Sequence, residues 1–407
     1  MTKLKILENK TITDVPYFKA TGIHSGVKRK RKDLCIIYSE KEAVAAAAFT
    51  QNKFAAAPVV VSKDHIQSNN TQAIVINSGN ANACTGDEGI DNAYSMAKTT
   101  ADCLGLSSKE VLVASTGIIG LPLPMAIINA GIKNACTQIS STGGNCAAEA
   151  IMTTDTFTKK ITVEFDLDGK KILLSGIAKG SGMIHPNMAT MLSFIVSNVN
   201  ISKDMLSIAL KESIDDSYNM ISVDGDTSTN DMVIGMANKT ANNTIIDSKD
   251  DNYIKFKKAL DFLNKELAKL IAKDGEGATK LIEVSLNNAK TLKDAKLCAK
   301  SVISSSLVKS AFFGEDANWG RIVCSLGYSN AEFSPEKIDV SFQNKIGNIQ
   351  LFKDGKEVSF DEELAKNILS EEHINIIIDL KDGEHCATAW GCDLSFDYVK
   401  INASYRS

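Results

Sequence analysis

Lys179-Gly-Ser-Gly-Met-Ile-His-Pro-Asn-Met-Ala-Thr190-Met-Leu192 is the stretch on which the reading of this chain turns. It joins a glycine cluster carrying a lysine, a proline, and a threonine preceded by a small residue, and an apolar run over 191–196 follows at once. One reading is a glycine turn entering an ordinary core strand. The other starts from a threonine held at the mouth of a buried strand. Cutting the Ala189–Thr190 bond would put an α-amine beside the hydroxyl of the same residue, a self-contained base and nucleophile. His185 is a weaker candidate for that base, because Pro186 removes the helical spacing that would bring it back over Thr190.

Working outward, the chain has 407 residues, more than one hydrophobic core usually organises, so two domains or one large domain with an appendage are expected. Its 44% hydrophobic and 23% charged residues describe a globular protein, and a net charge of −4 argues against general affinity for nucleic acid or an anionic membrane. The basic run Lys28-Arg-Lys-Arg-Lys32 precedes Asp33 and the apolar 34–38, and reads as a solvated loop before a strand. Residues 1–10 alternate charged and apolar types, unlike a signal peptide, and no apolar stretch reaches the roughly 18 residues a membrane span needs. The nine cysteines form no Cys-x-x-Cys pair, and Cys386 and Cys392 lack the histidine partners of a zinc site although His385 adjoins one of them. A reduced, cytoplasmic protein is expected.

Short apolar runs at 34–38, 58–61, 73–77, 111–115, 172–177 and 191–199 read as strands. The segments 90–104, 124–140, 203–220 and 252–273 read as amphipathic helices, the last ending at Asp274-Gly-Glu-Gly277. The class is therefore α/β, without the regular alternation that demands a doubly wound parallel sheet. Residues 238–252 read as an exposed excursion, 281–284 as a strand, and 287–296 as a polar boundary. A main domain over 1–286 and a smaller α/β domain over 287–407 are expected.

Several motifs admit two readings. Asn77-Ser-Gly-Asn-Ala-Asn-Ala-Cys-Thr-Gly86 follows a strand and suits either a ligand-facing loop or a plain Asn/Gly turn. In Ala114-Ser-Thr-Gly-Ile-Ile-Gly120, the Thr116 hydroxyl and the Gly117 N–H can converge on one oxygen as an oxyanion hole. Ile221-Ser-Val-Asp224-Gly-Asp226-Thr looks like the Asp-x-Asp-x-Thr strand end of haloacid-dehalogenase-type phosphatases, where two carboxylates hold Mg²⁺ and attack phosphorus. Half the chain precedes it here, and no later lysine and acidic pair completes the set. A supporting loop is the better reading. Glu276, between two glycines after a helix, can reach a cationic ligand or be an incidental acid at a helix stop.

In order, and across nearly the whole chain, these pieces resemble the ornithine acetyltransferase family of arginine biosynthesis. The matching segments are Asn77–Gly86, Ala114–Gly120, Ala150-Ile-Met-Thr-Thr-Asp-Thr156, Lys179–Leu192, Ser222–Asp231, Asp274–Thr279, Gly314-Glu-Asp-Ala-Asn-Trp-Gly-Arg-Ile322, Ala389-Trp-Gly-Cys-Asp393 and Tyr398-Val-Lys-Ile-Asn402. The resemblance implies a layered helix–sheet–sheet–helix main domain of N-terminal-nucleophile type, with a C-terminal domain whose tail returns to the active site. It also implies self-cleavage between Ala189 and Thr190 into an α chain (1–189) and a β chain (190–407), assembled as two of each. Thr190 is then the acetylated nucleophile, and Thr116 and Gly117 stabilise the oxyanion. Thr153, Lys179, Thr190, Glu276, Asn402 and Ser407 line the substrate site. Two departures stand out: Ser407 replaces a frequent terminal threonine, and Phe157-Thr158 stands where proline commonly follows the aromatic residue.

The implied substrates are N-acetylornithine and glutamate, with no cofactor or metal. Acetyl-CoA enters as a co-substrate only in bifunctional members, and no residue here decides that. A free α-amine titrates at roughly 7.7–8.0, so on the order of a tenth is neutral near pH 7 and able to take the threonine proton. The rival readings are an N-terminal-threonine amidase with water as acceptor and, more remotely, a Mg²⁺ phosphatase using Asp224 and Asp226.

Overall fold

The computed structural model describes residues 4–185 and 191–404. By contacts they form two compact units, one built from Met1–Gly180, Asn187–Asp215 and Thr227–Leu267, the other from Ser181–Pro186, Asp216–Asp226 and Ala268–Ser407.

The first unit holds two sheets. A four-stranded sheet runs Phe18–Ile23, Leu34–Ser39, Ala73–Asn80, Val111–Ile118, with only the last pair parallel. A six-stranded sheet runs Lys5–Ile6, Lys159–Leu167, Lys170–Lys179, Leu192–Ser197, Met232–Ala237, Val44–Phe49. In it, Leu192–Ser197 and Met232–Ala237 are the parallel neighbours.

The continuous apolar runs of the small sheet follow from burial on both faces. Successive side chains point to opposite faces. Cys35, Ile37, Ile74, Ile76, Leu112 and Ala114 therefore join a core shared with Ile177, Phe194, Val196, Ile234 and Met236 of the larger sheet. Their neighbours Leu34, Ile36, Val75, Val111 and Val113 pack with Ala93, Met96, Ala97, Ile128 and Ile132 of helices Gly86–Leu104 and Met125–Thr137. On the outer face of the larger sheet, a Cβ added at Gly176 would lie 2.9 Å from Leu267 and 3.0 Å from Leu263 of helix Asp251–Lys273. The nearest neighbours of Gly235 are Leu206 and Leu210 of helix Lys203–Asp215. The layers are thus helix, sheet, sheet, helix, as expected.

Residues 58–61 do not form the expected strand; they lie in helix Ala57–His65. Three consecutive valines favour extended backbone locally, but Pro58 sits in the first turn, where its missing N–H costs nothing. Ala57, Pro58, Val61, Ser62 and His65 then recur on a helical face and are buried. Strands Phe18–Ile23, Val44–Phe49, Lys159–Leu167 and Met232–Ala237 carried no strand expectation. Val44-Ala-Ala-Ala-Ala-Phe49 shows why, since alanine is poor in strands by itself and is placed there only by its neighbours.

The second unit holds a seven-stranded mixed sheet, ordered Ile221–Ser222, His385–Cys392, Leu281–Ala289, His373–Asp379, Asp339–Gln343, Asn348–Lys353, Lys356–Glu357. The boundary expected at 286/287 falls inside its strand Leu281–Ala289, and the contact division falls elsewhere. The polar stretch 287–296 is instead the end of that strand, with a bulge where Asn288 takes φ 56° and donates to Asp379 at 2.9 Å, and the start of the next helix. That helix, Leu292–Ser304, is capped by the Thr291 hydroxyl.

Candidate active site

Thr116 and Gly117 stand at the end of strand Val111–Ile118, opposite Ser78 and Gly79 of the parallel neighbour. The register slips at Gly79 and Asn80, a bulge that interrupts the ladder. Gly79 has φ +107° and Gly117 φ +133°. A Cβ at Gly117 would lie 2.3 Å from the Gly79 carbonyl carbon and 2.5 Å from the Asn80 nitrogen, so only glycine fits.

The side chains of the asparagine-rich loop behind them brace the backbone. Asn77 donates to Asn80 O at 2.9 Å, Asn80 to the carbonyls of Leu121 and Pro122 at 3.1 Å each, and Asn82 to Gly89 O at 2.8 Å. Asn230 reaches in to donate to Ala81 O at 2.6 Å and Ser115 O at 2.9 Å. For these side chains the turn reading holds.

Thr153 and Lys179 are brought together by a residue the sequence did not single out. Asp155 is 1% exposed and accepts from Thr153 N at 2.8 Å, Gly180 N at 2.7 Å and Lys159 Nζ at 2.7 Å. Lys179 Nζ stands 3.9 Å from its other oxygen. Burial opposes its ionisation, but Lys179, Lys159 and these hydrogen bonds outweigh burial and hold the Asp155 carboxyl well below the usual carboxylate range. Nothing in Met-Thr-Thr-Asp-Thr distinguishes this acid from a loop aspartate.

Asp231, also unflagged, is 3% exposed with its Oδ2 unpartnered. Burial raises its carboxyl well above the ordinary value, against the hydrogen bonds from Ser228 and the charge of Lys179.

The basic run divides. Arg29, Lys30 and Arg31 are exposed as expected, but Lys28 turns inward. Its ammonium donates to Met152 O at 2.5 Å, Ser78 Oγ at 2.6 Å and Lys32 O at 3.1 Å. Burial lowers its pKa to about 8, with Asp33 opposing and Lys179 adding to the fall. The buried Asp33 carboxylate fixes the loop, accepting from the backbone of Ser25 (2.6 Å), Gly26 (3.2 Å) and Lys28 (2.9 Å).

Glu276 and Asn402 belong to the second unit and meet there. Asn402 Nδ2 donates to Glu276 Oε2 at 2.8 Å, and Glu276 is 7% exposed. Gly182 makes room for that carboxylate, since a Cβ there would lie 2.4 Å from Glu276 Cδ. Gly277, at φ +71°, allows the approach of Tyr398 N, 2.5 Å from where its Cβ would be.

The Asp224 carboxylate accepts from Met183 N at 2.6 Å, Ile184 N at 2.8 Å and Asp226 N at 3.2 Å. Those oxygens anchor the segment before Pro186, the supporting-loop reading of the motif. His185 Nδ1 is 3.1 Å from Ser222 Oγ, and burial with the nearby Lys300 charge lowers its pKa to about 4, so the ring is neutral at neutral pH. Ala189, Thr190 and Ser407 lie outside the described residues. Among the described residues no cluster of three or more histidine, cysteine or acidic side chains is suited to a metal ion.

Comparison with known proteins places this geometry in context. The arginine biosynthesis bifunctional protein ArgJ 1 of Clostridium acetobutylicum is 59% identical over 408 residues, covering 100% of both chains. Its counterpart in Caldanaerobacter subterraneus is 54% identical over 390 residues, 96% of this chain and 97% of that one. Among solved structures, the Bacillus halodurans bifunctional protein argJ is 44% identical, with TM-score 0.45, and covers 46% of this chain and 100% of its own. An ornithine acetyltransferase complexed with ornithine, from Mycobacterium tuberculosis, is 32% identical at TM-score 0.43 with the same coverage. The sequence model of the ArgJ family matches residues 19–407, and with two relatives above half identity along nearly all of their length, this chain belongs to the ArgJ family.

Proposed function

We propose that this protein is a glutamate N-acetyltransferase of arginine biosynthesis, moving acetyl from N2-acetylornithine to glutamate through an acetyl ester on Thr190. The observation that carries the reading is the 59% identity, end to end, with a protein named for arginine biosynthesis. The chemistry of the residues supports it.

Thr190 Oγ attacks the Ala189 carbonyl, the peptide bond shifts to an ester, and water hydrolyses it. This leaves α chain 1–189 and β chain 190–407, two of each in the assembly. The new α-amine takes the hydroxyl proton as Thr190 attacks the acetyl carbonyl. Thr116 and Gly117 hold the oxyanion, and collapse expels the ornithine amine, which takes the proton back. The glutamate amine then attacks the ester and leaves as N-acetylglutamate with Thr190 restored. Atoms and protons balance with no cofactor.

Donor and acceptor share an α-amino-acid frame, so Thr153, Lys179, Asn402 and Ser407 are assigned to that frame, with Glu276 to the cationic ornithine side chain. The buried environment of Glu276 supports the last assignment, since a carboxylate out of water seeks a cation. Acetyl-CoA as a second donor fits the word bifunctional in the relatives' names. We assign the enzyme to the cytoplasm; its nine cysteines are all free, and no described helix is long and apolar enough to cross a membrane.

Intact-mass analysis tests the reading. Two chains meeting at 189/190 are expected, with one acetyl group added to the β chain by N-acetylornithine and removed by glutamate as N-acetylglutamate. Acetyl lost to water at the same rate without glutamate would make the enzyme an amidase instead. Glu276→Gln is expected to raise KM for N-acetylornithine more than for glutamate; equal KM values for wild type and variant would remove Glu276 from the site.

A further inference from the structure

We infer that Lys28 is a positioning residue for acetyl transfer, clamping the strand pair that carries Thr116 and Gly117 to the loop that carries Thr153. The inference rests on the function proposed above and adds to it a residue from the basic run.

An ammonium has three protons to donate. Those of Lys28 meet Ser78 Oγ at 2.6 Å, Met152 O at 2.5 Å and Lys32 O at 3.1 Å. Ser78 is the register partner of Thr116, and Met152 precedes Thr153. Ser78 Oγ in turn donates to Ala150 O at 2.5 Å, so the strand is tied twice to the 150–153 segment. The lysine stem covers Gly79, the partner of Gly117, with Cγ 3.0 Å and Cε 3.7 Å from where a Cβ would stand. Arg31 Nη1 adds a bond to Thr153 O at 3.3 Å.

One flexible cation therefore fixes the distance between oxyanion donors and substrate wall. A neutral side chain would leave three acceptors facing one another. Misplacing a catalytic group by about 1 Å costs on the order of 100-fold in rate.

The test is steady-state kinetics of N-acetylornithine:glutamate exchange on purified enzyme. Lys28→Met is expected to lower kcat by about 10- to 100-fold with KM for N-acetylornithine within about threefold. Ser78→Ala loosens the same clamp from the strand side, and the double variant should lose much less than the product of the two single losses. Lys30→Met, at an exposed position of the same run, controls for charge and should match wild type. Should Lys28→Met fail to fold, Ser78→Ala alone decides, with a several-fold loss of kcat expected and an unchanged kcat overturning the clamp. A folded Lys28→Met with wild-type kcat, multiplicative losses in the double variant, or an equal loss in Lys30→Met would each overturn it. Wild-type enzyme with no glutamate-dependent acetyl transfer would defeat the proposed function itself, a separate result.

Discussion

At the scale of single residues, the electrostatics of the site rest on two aspartates pushed in opposite directions. Asp155 is ionised inside the protein because Lys159, itself 0% exposed, donates to it and Lys179 stands near. Its folded pKa lies below the unfolded value, so its stabilisation is fully present at neutral pH. It is lost as pH falls from about 4 through the folded value. Asp155→Asn takes a counter-charge from the buried Lys159 and from Lys179 and removes a charged acceptor from Gly180 N and Thr153 N, and a loss of about 1–3 kcal/mol at pH 7 is expected in urea unfolding. A loss that is the same at pH 7 and at pH 2 would contradict the lowered Asp155 pKa.

Asp231 has the opposite sign. Its folded pKa is raised, so stability is greatest below the unfolded value and declines as pH rises towards the folded one. The melting temperature of Asp231→Asn relative to wild type should therefore improve between pH 5 and pH 8. A difference that stays constant with pH would contradict the raised pKa of the buried Asp231 carboxyl. Neither aspartate advertises its state in sequence, because burial and the neighbouring lysines come from other strands.

At the scale of elements, periodicity served well where one element determined its own burial. The continuous apolar run Leu34-Cys-Ile-Ile is a strand signal, and its two faces enter two different cores. It misled at Val59-Val-Val61, where valines share the polypeptide with Pro58 and the helix packs against the sheet. Propensity differences of a few tenths of a kcal/mol per residue yield to burial worth more than 1 kcal/mol per side chain.

The facing glycines Gly79 and Gly117 show a second kind of limit. Each looks like an ordinary turn residue alone; their need appears only when the two strands lie in register. Gly117→Ala places a Cβ against the Gly79 carbonyl and strains a positive φ, so a loss of about 1–3 kcal/mol in stability and a larger fall in kcat than in KM are expected. Wild-type kcat in this variant would remove the Gly117 N–H from the oxyanion role.

At the scale of the whole molecule, the chain leaves and re-enters its units. The run opened at Lys179 has that lysine in the first unit, residues 181–186 in the second, and the strand from Leu192 back in the first. A linear boundary in sequence cannot express this, which is why 286/287 falls within a strand. Thr190→Ala is expected to remain one 407-residue chain without transferase activity. A variant still cut at 189/190 would overturn Thr190 as the cleaving nucleophile.

The sequence by itself determined the α/β class, the helices Gly86–Leu104, Met125–Thr137, Lys203–Asp215 and Asp251–Lys273 and the order of the motifs, because these are written in local patterns and in a family-wide arrangement of short segments. The tertiary structure alone decided that Asp155 joins Thr153 to Lys179, that Lys28 leaves the solvated run for Ser78 and Met152, and that Asp224 serves backbone amides. Each of those depends on charges and hydrogen-bond partners tens of residues or more away in sequence, made strong by burial that no local pattern records.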